Sequence, residues 1–487
     1  MKKNITYKLS LVAAFFALLV TSCKKDFLDV NQNENFPEQV DVKYALPAAQ
    51  AYLGYTMGNQ LAIAGGFWGQ YWTQGPNANQ YAQLDQYIYT SSEADRPWEA
   101  LYSGTLKDLD FIYEKSKSDP AKQNYGAIAR ILQVYTYQVV VDAWGMAPFR
   151  EALKGSDNVS PKFDKEELVY DSLAVWIDEG LNLLDDTKAA PGSEDLVYGG
   201  NLLSWYKFGN TLKLKLFLRQ AAVRPSVAAL GISNTDPVFL EEGDDAYLKY
   251  NNAKFQQNPL YTTANIGLQT TSNIFASKSI TDYMYATNDT LRLADFFNPN
   301  SAGIFNGLLQ GEGKLLGGNQ SDANFSLPGD EIVGATAPVY LMTASEAMFL
   351  QAEAVARGYL SGNDKNLYEA AITASWDNWT VSSQDPAALS DFLASDSVNY
   401  ANATTTDKKL RLILTQKWVA MCGNQNFEAW TEERRTGYPD FLKPSVTSVL
   451  ANGVFPARLV YPSDEVTGNS NFPGVKQVDE KIWWDVN

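Results

Sequence analysis

The strongest constraint on this chain is a set of apolar stripes at helical spacing that arrive in pairs. Between Gln123 and Val141, the residues Ile128, Ile131, Leu132, Tyr135 and Val139 fall on one face of an α-helix. Glu166 to Asp186 carries a second stripe through Leu173, Trp176, Ile177, Gly180, Leu181 and Leu184. Asn201 to Val223 carries a third through Trp205, Phe208, Leu212 and Leu216, with Lys213, Lys215 and Arg219 off it. Arg96 to Lys117, Thr343 to Gly358, Asn363 to Trp379, Asp407 to Cys422 and Asn426 to Arg435 read the same way. A helix with one apolar stripe needs that stripe covered. Helices joined by short turns cover one another. The expected fold is therefore mainly α, built of about four tetratricopeptide-like helical hairpins, although no repeat consensus recurs at a fixed period.

Composition removes several kinds of chemistry. Histidine is absent, which excludes Ser-His-Asp and Cys-His catalysis and His-ligated zinc. The only cysteines are Cys23 and Cys422, so the body is expected to rest on a large core without disulfides, with Cys422 a buried small apolar residue. A net charge of −17 opposes binding to nucleic acid, which needs Lys and Arg against phosphate. The cluster Glu241-Glu242-Gly243-Asp244-Asp245 lacks EF-hand spacing. Nor does a loop of adjacent acids hold two carboxyls about 5 to 9.5 Å apart, as glycosidases require. It reads as a solvated acidic turn. No metal and no cofactor is expected.

The two ends differ from the middle. Lys2, Lys3 and Lys8 precede an apolar run from Leu9 to Val20, too short to span a bilayer, which takes about 20 apolar residues. Leu19-Val20-Thr21-Ser22-Cys23 then reads as a lipoprotein processing site. The expected organisation is a signal peptide over 1–22, lipidation at Cys23, a polar tether over 23–40, and one domain over 41–487. The tail from Pro439 has no helical period and ends in Trp483-Trp484-Asp485; it is expected to wrap the body and be pinned by that aromatic pair.

Within the body, about 60–95, 225–277 and 294–338 read as irregular. Long irregular segments in a helical domain are usually functional. The stretch from Phe67 to Tyr81 mixes glycine, aromatic and amide residues. A sugar offers an apolar ring face rimmed by hydroxyls, so its site needs an aromatic ring and amides or acids beside it. Trp68, Trp72, Gln74, Asn77, Asn79 and Tyr81 are the candidate ligand-binding residues on that ground. The glycine-rich stretch Phe305 to Asn319 adds Asn306 and Asn319, with Gln310 between them. Glu428, Trp430, Glu432, Arg434 and Arg435 read as structural: arginines against an aromatic face and carboxylates, closing the last helix pair.

Five stretches in order resemble one known family. They are C-K-K-D-F-L-D-V-N at Cys23 to Asn31, D-A-W-G-M-A-P-F-R-E-A-L at Asp142 to Leu153, and F-G-N-T-L-K-L-K-L-F-L-R at Phe208 to Arg219 after the Asp171 to Asp185 helix. The last two are F-E-A-W-T-E-E-R-R-T-G-Y-P at Phe427 to Pro439 and P-A-R-L-V-Y-P-S-D-E at Pro456 to Glu465. Together they resemble the SusD/RagB lipoproteins, in the SusD-like branch. Departures fall at Asn35-Phe36-Pro37, at Asp289-Thr290-Leu291-Arg292 and at Ala457, where the family often has N-x-N-P, D-p-R and a second arginine. The resemblance implies four tetratricopeptide-like pairs under an irregular ligand face, and no catalysis. It also implies a lipid anchor in the outer membrane facing the cell exterior, and a SusC-type TonB-dependent transporter as partner. The expected function is binding of an oligosaccharide or polysaccharide and its delivery to that transporter. A peptide receptor of the same family and a lipid-anchored glycoside hydrolase are the alternatives.

Overall fold

In the computed structural model, residues 40–487 are described. The expected leader, the lipidation at Cys23 and nearly all of the tether lie outside the described residues. The body starts with α1 (Val42–Met57) and α2 (Gln60–Trp68). Then α3 (Ser91–Glu99) runs through a π-helical turn, Ala100–Leu106, into α4 (Lys107–Ser118). This start precedes the apolar stripe because Thr90 and Glu93 form a capping box, the Thr90 N–H reaching Glu93 Oε2 at 2.6 Å.

Four helical hairpins follow from the stripes. The first joins α4 to α5 (Gln123–Trp144), and the second α6 (Glu166–Leu183) to α7 (Leu202–Arg219). The third joins α8 (Ala344–Ala356) to α9 (Asp364–Asp377), and the last α10 (Thr406–Ala420) to α11 (Asn426–Thr436). The protein is thus mainly α and tetratricopeptide-like. Helix α5 is the axis. From Asn124 to Trp144 every residue is buried, so it has no solvent face and its neighbours close on all sides. It ends at Gly145, whose φ of +79° suits glycine alone among common residues.

Two expectations about elements change. Pro225–Ser233, read as irregular, is a helix with Pro225 in its first turn, where the missing N–H has no intrahelical partner to lose. Gly65 and Gly66, read as loop punctuation, lie inside α2. A Cβ on Gly65 would stand 2.4 Å from the Phe427 amide nitrogen, and one on Gly66 would stand 2.4 Å from the Trp72 ring. Glycine serves here to let α2 touch the start of α11. Cys422 is buried and unpaired.

The strands are short antiparallel pairs that fasten loops to the bundle. They are β1 (Trp72–Gln74), β2 (Ala147–Pro148), β3 (Phe163–Asp164), β4 (Ala246–Leu248), β5 (Ile274–Ala276) and β6 (Val339–Met342). β1 pairs with β5, Trp72 facing Ala276 and Gln74 facing Ile274. β2 pairs with β3, and β4 with β6.

The off-stripe cations of α7 are not on the surface. Lys215 pairs with Glu346 at 3.0 Å, and Arg219 with Asp142 at 3.1 Å and with Glu428 and Glu432. Lys417 reaches Glu432 at 2.9 Å, and Arg435 bridges Glu353 and Glu432 at 2.6 Å each. All of these side chains are buried. They form one network where α5, α7, α8, α10 and α11 meet. Charges can be buried there because each has counter-ions and hydrogen bonds. Arg434 lies 3.7 Å from the Trp430 ring and donates to the Asp142 carbonyl at 2.9 Å. The residues from Glu428 to Arg435 therefore close the last hairpin from inside.

The tail wraps this junction. The Leu459 N–H bonds the Ala143 carbonyl at 2.7 Å, and the Trp144 indole bonds the Val460 carbonyl at 3.0 Å. Trp484 is fully buried and donates to Asp142 Oδ1 at 2.9 Å, while the half-buried Trp483 ring meets Tyr170 edge-on at 5.3 Å.

Candidate functional site

The hairpins hold up an irregular face made from the 75–81 loop, the 261–273 stretch and the 298–334 segment. The β1–β5 ladder sets the first beside the second. A single buried carboxylate fixes the third. Asp85 Oδ2 accepts the Thr73 hydroxyl and the Gln74 N–H at 2.8 Å each, and Asp85 Oδ1 accepts the Gln310 amide at 2.5 Å. Gln310 also bonds the Trp72 carbonyl at 3.0 Å. Burial pushes the Asp85 carboxyl up to about 7, against the pull of the Gln74 N–H and the Thr73 and Gln310 side chains.

Three of the sequence candidates lie behind this face. Trp68 is buried at the end of α2. Its ring meets Trp430 edge-on at 4.9 Å, and its indole bonds the Leu84 carbonyl at 3.1 Å. Trp72 opens β1 and is fully buried. Neither presents a ring face to a ligand: α2 carries straight through its glycines and turns Trp68 into the core, while Trp72, held in β1 against β5, lays its ring against Gly66. Gln74 is buried as well; its Oε1 accepts the Tyr81 N–H at 2.7 Å and so closes the 75–81 loop. Its role is to shape that loop.

The remaining candidates are at the surface. Asn77 is exposed and donates to the Gln320 carbonyl at 2.9 Å and Asp322 Oδ1 at 2.6 Å. The Gly318 N–H bonds the Pro76 carbonyl at 3.1 Å, which brings exposed Asn319 to the same place. The two stretches nominated separately in the sequence therefore lie side by side. Asn79 is exposed. Asn306 holds its own segment together, its amide donating to the Asn324 carbonyl at 2.8 Å and its N–H to the Ser326 hydroxyl at 3.0 Å.

Tyr81 stands between two grooves. Its ring packs edge-on against Phe67 at 5.6 Å, and burial pushes its hydroxyl up to about 12, so it remains a neutral donor. One groove, about 160 Å³, has an apolar floor that includes Leu260, Ile274 and Pro328. Its polar rim includes Tyr261, Asn265, Thr270 and Asn298, with Asp330 the one carboxylate. The other, about 330 Å³, is walled by Gln60, Gln80, Tyr89, Glu93 and Arg96. A third cleft, about 570 Å³, presents Tyr283 and Phe441 stacked at 4.9 Å between Lys278 and Lys443.

Sequence reading missed Tyr261, Asn265, Thr270 and Asn298. For the first three the signal was present in the amide- and hydroxyl-rich run from Tyr261 to Asn273, which includes a π-helical turn at Thr262–Gly267. Chemically, the grooves offer apolar floor, phenol, amide and hydroxyl. Neither groove beside Tyr81 holds the two opposed carboxyls of a glycosidase, since each is lined by one. Among the described residues no group of acids and cysteines is placed to hold a metal, and no helix is long and apolar enough to cross a membrane.

Helical hairpins carrying a loop-built polar and aromatic face define a helical-repeat binding protein. The chain belongs to the SusD-like family described as "Starch-binding associating with outer membrane", whose model matches residues 34–462. Proteins of this family bind carbohydrate and are not catalytic. A solved chitin-binding protein shares 24% identity at a TM-score of 0.80, over 92% of this chain and 100% of that one. A SusD homologue from Bacteroides uniformis shares 25% at 0.75, over 91% and 100%. A chitin-binding SusD homologue from Flavobacterium johnsoniae shares 24% at 0.74, over 92% and 97%. No curated protein sequence matches the chain.

Proposed function

We propose that this protein is a cell-surface glycan receptor that captures an oligosaccharide or polysaccharide on the face around Tyr81 and passes it to an outer-membrane TonB-dependent transporter of the SusC type. The observation that carries the reading is the composition of the two grooves that Tyr81 separates. A tyrosine ring can cover the apolar face of a sugar, while Asn77, Asn79, Asn319 and the rim amides share hydrogen bonds with its hydroxyls. Family membership supports the same ligand class, and the chitin-binding proteins with the same fold make β-linked amino-sugar chains a natural first choice.

Anchoring would come from lipid on Cys23. Three acyl chains hold a protein to a bilayer far more firmly than one. The family's association with the outer membrane supports this placement.

Isothermal calorimetry of the soluble body against chitin, starch and other plant and microbial oligosaccharides tests the binding, with a peptide library run beside them. Heat from at least one glycan and none from the peptides is expected. Saturable binding of peptides alone would overturn the glycan assignment. Incorporation of labelled palmitate into the wild-type protein, and not into a Cys23→Ser variant, is the expected outcome for the anchor.

A further inference from the structure

Helix α1 lies at the surface without the polar outer side that a surface helix normally carries. After Lys43 its exposed residues are Tyr44, Ala51, Tyr52 and Tyr55, while its other polar side chains, Gln50 and Thr56, are buried. Tyr44, Ala48, Ala51 and Tyr55 follow one another at helical spacing and form one row along the helix. At the end of that row, Ala51 and Tyr55 share a groove of about 450 Å³ with Leu196, Leu248, Lys249 and Phe255. Gly54 lets β4 come down on α1 here: a Cβ on it would stand 2.9 Å from the Leu248 side chain.

Phe255 is 90% exposed, and its φ of +70° lies in the left-handed region that a phenylalanine rarely adopts. The loop around it is tightly bonded. The Asn251 N–H donates to the Gln256 carbonyl at 2.9 Å, the Asn251 amide to Gln256 Oε1 at 2.6 Å, and the Ala253 N–H to Asn251 Oδ1 at 2.8 Å. A rigid loop thus holds a large ring out in water beside Tyr55 and exposed Leu196, and a contiguous apolar patch of this kind marks a contact surface. Charge sets the patch apart as well. From Val42 to Leu84 and from Ala246 to Thr281, the segments that supply all of it but Leu196, the chain has no Asp or Glu, although it holds 56 of them and carries a net charge of −17. Lys43, Lys249 and Lys254 are exposed here, Lys43 lying 4.9 Å over the Tyr44 ring and Lys254 4.9 Å over the Phe255 ring. Asp41, just before the helix, and Glu194, within reach of the Lys43 charge, flank its head.

We propose that this face rests on a lipid surface, its aromatic rings entering the headgroup layer and its lysines meeting anionic phosphates there. Tyrosine and phenylalanine set among lysines are side chains that settle at a membrane–water interface, with the rings in the apolar boundary and the ammonium groups reaching out to the headgroups. The 23–40 tether enters this face at the first turn of α1 and spans about 60 Å at most when fully extended. Lipid on Cys23 would keep the face within that reach of a bilayer, and the placement rests on that anchor. The same headgroups repel the acidic remainder of the chain, so contact is favoured through this side. A second copy of the chain fits the face less well, because a two-fold contact would set its lysines against their own copies with no acid from either segment between them. The groove shares no lining residue with those beside Tyr81.

The test is co-sedimentation of the chain from residue 23 onward, carrying Cys23→Ser, with sucrose-loaded vesicles of phosphatidylglycerol and phosphatidylcholine in equal parts. Because that chain bears no lipid, the result is independent of palmitate labelling at Cys23. Saturable binding is expected, several-fold weaker on phosphatidylcholine alone. Tyr44→Gln with Phe255→Asn, the latter suited to the left-handed backbone, is expected to weaken it about tenfold or more while leaving glycan affinity by calorimetry unchanged. Lys249→Gln with Lys254→Gln is expected to remove most of the preference for phosphatidylglycerol. Val175→Asn, which replaces an exposed apolar residue of α6, is the control and should bind as the parent does. The proposal is overturned if the chain binds neither vesicle at millimolar lipid, if the Tyr44 and Phe255 variant binds as well as the parent, or if Val175→Asn weakens binding equally. It is also overturned if sedimentation velocity without lipid shows a dimer that the Tyr44 and Phe255 variant dissociates, since the face would then belong to a second copy.

Discussion

Single residues on the ligand face act either by touching ligand or by holding those that do, and the two roles predict different results. Tyr81 is half-buried with its hydroxyl neutral, between two grooves. Tyr81→Ala is expected to weaken glycan binding by about 1.5 kcal/mol, roughly tenfold, with Tyr81→Phe retaining most of the affinity. Calorimetry with the best oligosaccharide checks both. Asp85 touches no groove; it braces β1 and Gln310. Its carboxyl is raised from 3.8 to about 7 in the folded chain. A group raised on folding lends its full stability below its unfolded value and loses it as pH climbs through the folded value. Wild type should therefore lose stability relative to Asp85→Asn between pH 4 and 7, read as the difference in denaturation midpoint. A difference that moves the other way would mean the carboxyl is held charged.

At the scale of an element, the contact of α2 with α11 decides what the 65–81 stretch can do. Alanine inside a helix normally gains up to about 1 kcal/mol over glycine. At Gly65 the added Cβ would meet the backbone of Asn426 and Phe427 at 2.4–2.5 Å, and backbone cannot rotate away. Gly65→Ala is expected to destabilise by about 1–3 kcal/mol, the ordinary range for overpacking. Gly468→Ala, where nothing lies within 4 Å, should be neutral. Guanidinium unfolding of the two variants separates close packing from helix propensity. The same contact explains why Trp68 and Trp72 are core: once α2 runs to Trp68 and is pressed on α11, their rings have no route to the surface.

The molecule as a whole is organised around its buried charges. The network has members in all four hairpins, so its state is felt throughout. Burial pushes the Glu353 carboxyl up, but Arg435 and Arg357 beside it outweigh that and hold it at about 2. Glu428 and Glu432 are likewise held low, by Arg219 and Arg435 among others, against the effect of burial. Carboxyls lowered on folding lend stability above their unfolded values, near 4.5, and withdraw it as pH falls toward 2. Acid unfolding should therefore be steep over that window, followed by circular dichroism. Arg435→Met, which leaves Glu353 and Glu432 short of a counter-ion, is expected to cost about 3–5 kcal/mol and to move the acid transition to higher pH.

The apolar stripes alone gave the helices of the four hairpins, because hydrophobic period is a local property of the chain and each stripe demands a partner. The ordered motifs placed the family, and the lack of histidine excluded whole classes of catalysis before any contact was known. Sequence could not say that Lys215 and Arg219 are buried, since a cation off an apolar stripe reads as solvated until charged helices from 131 and 209 residues later arrive to meet the two of them. Nor could it separate Trp68, packed on Trp430, from Tyr81, left beside the grooves, because both share one glycine-rich, aromatic stretch. Which ring faces ligand depends on a helix contact distant in sequence, and only the folded chain makes that contact.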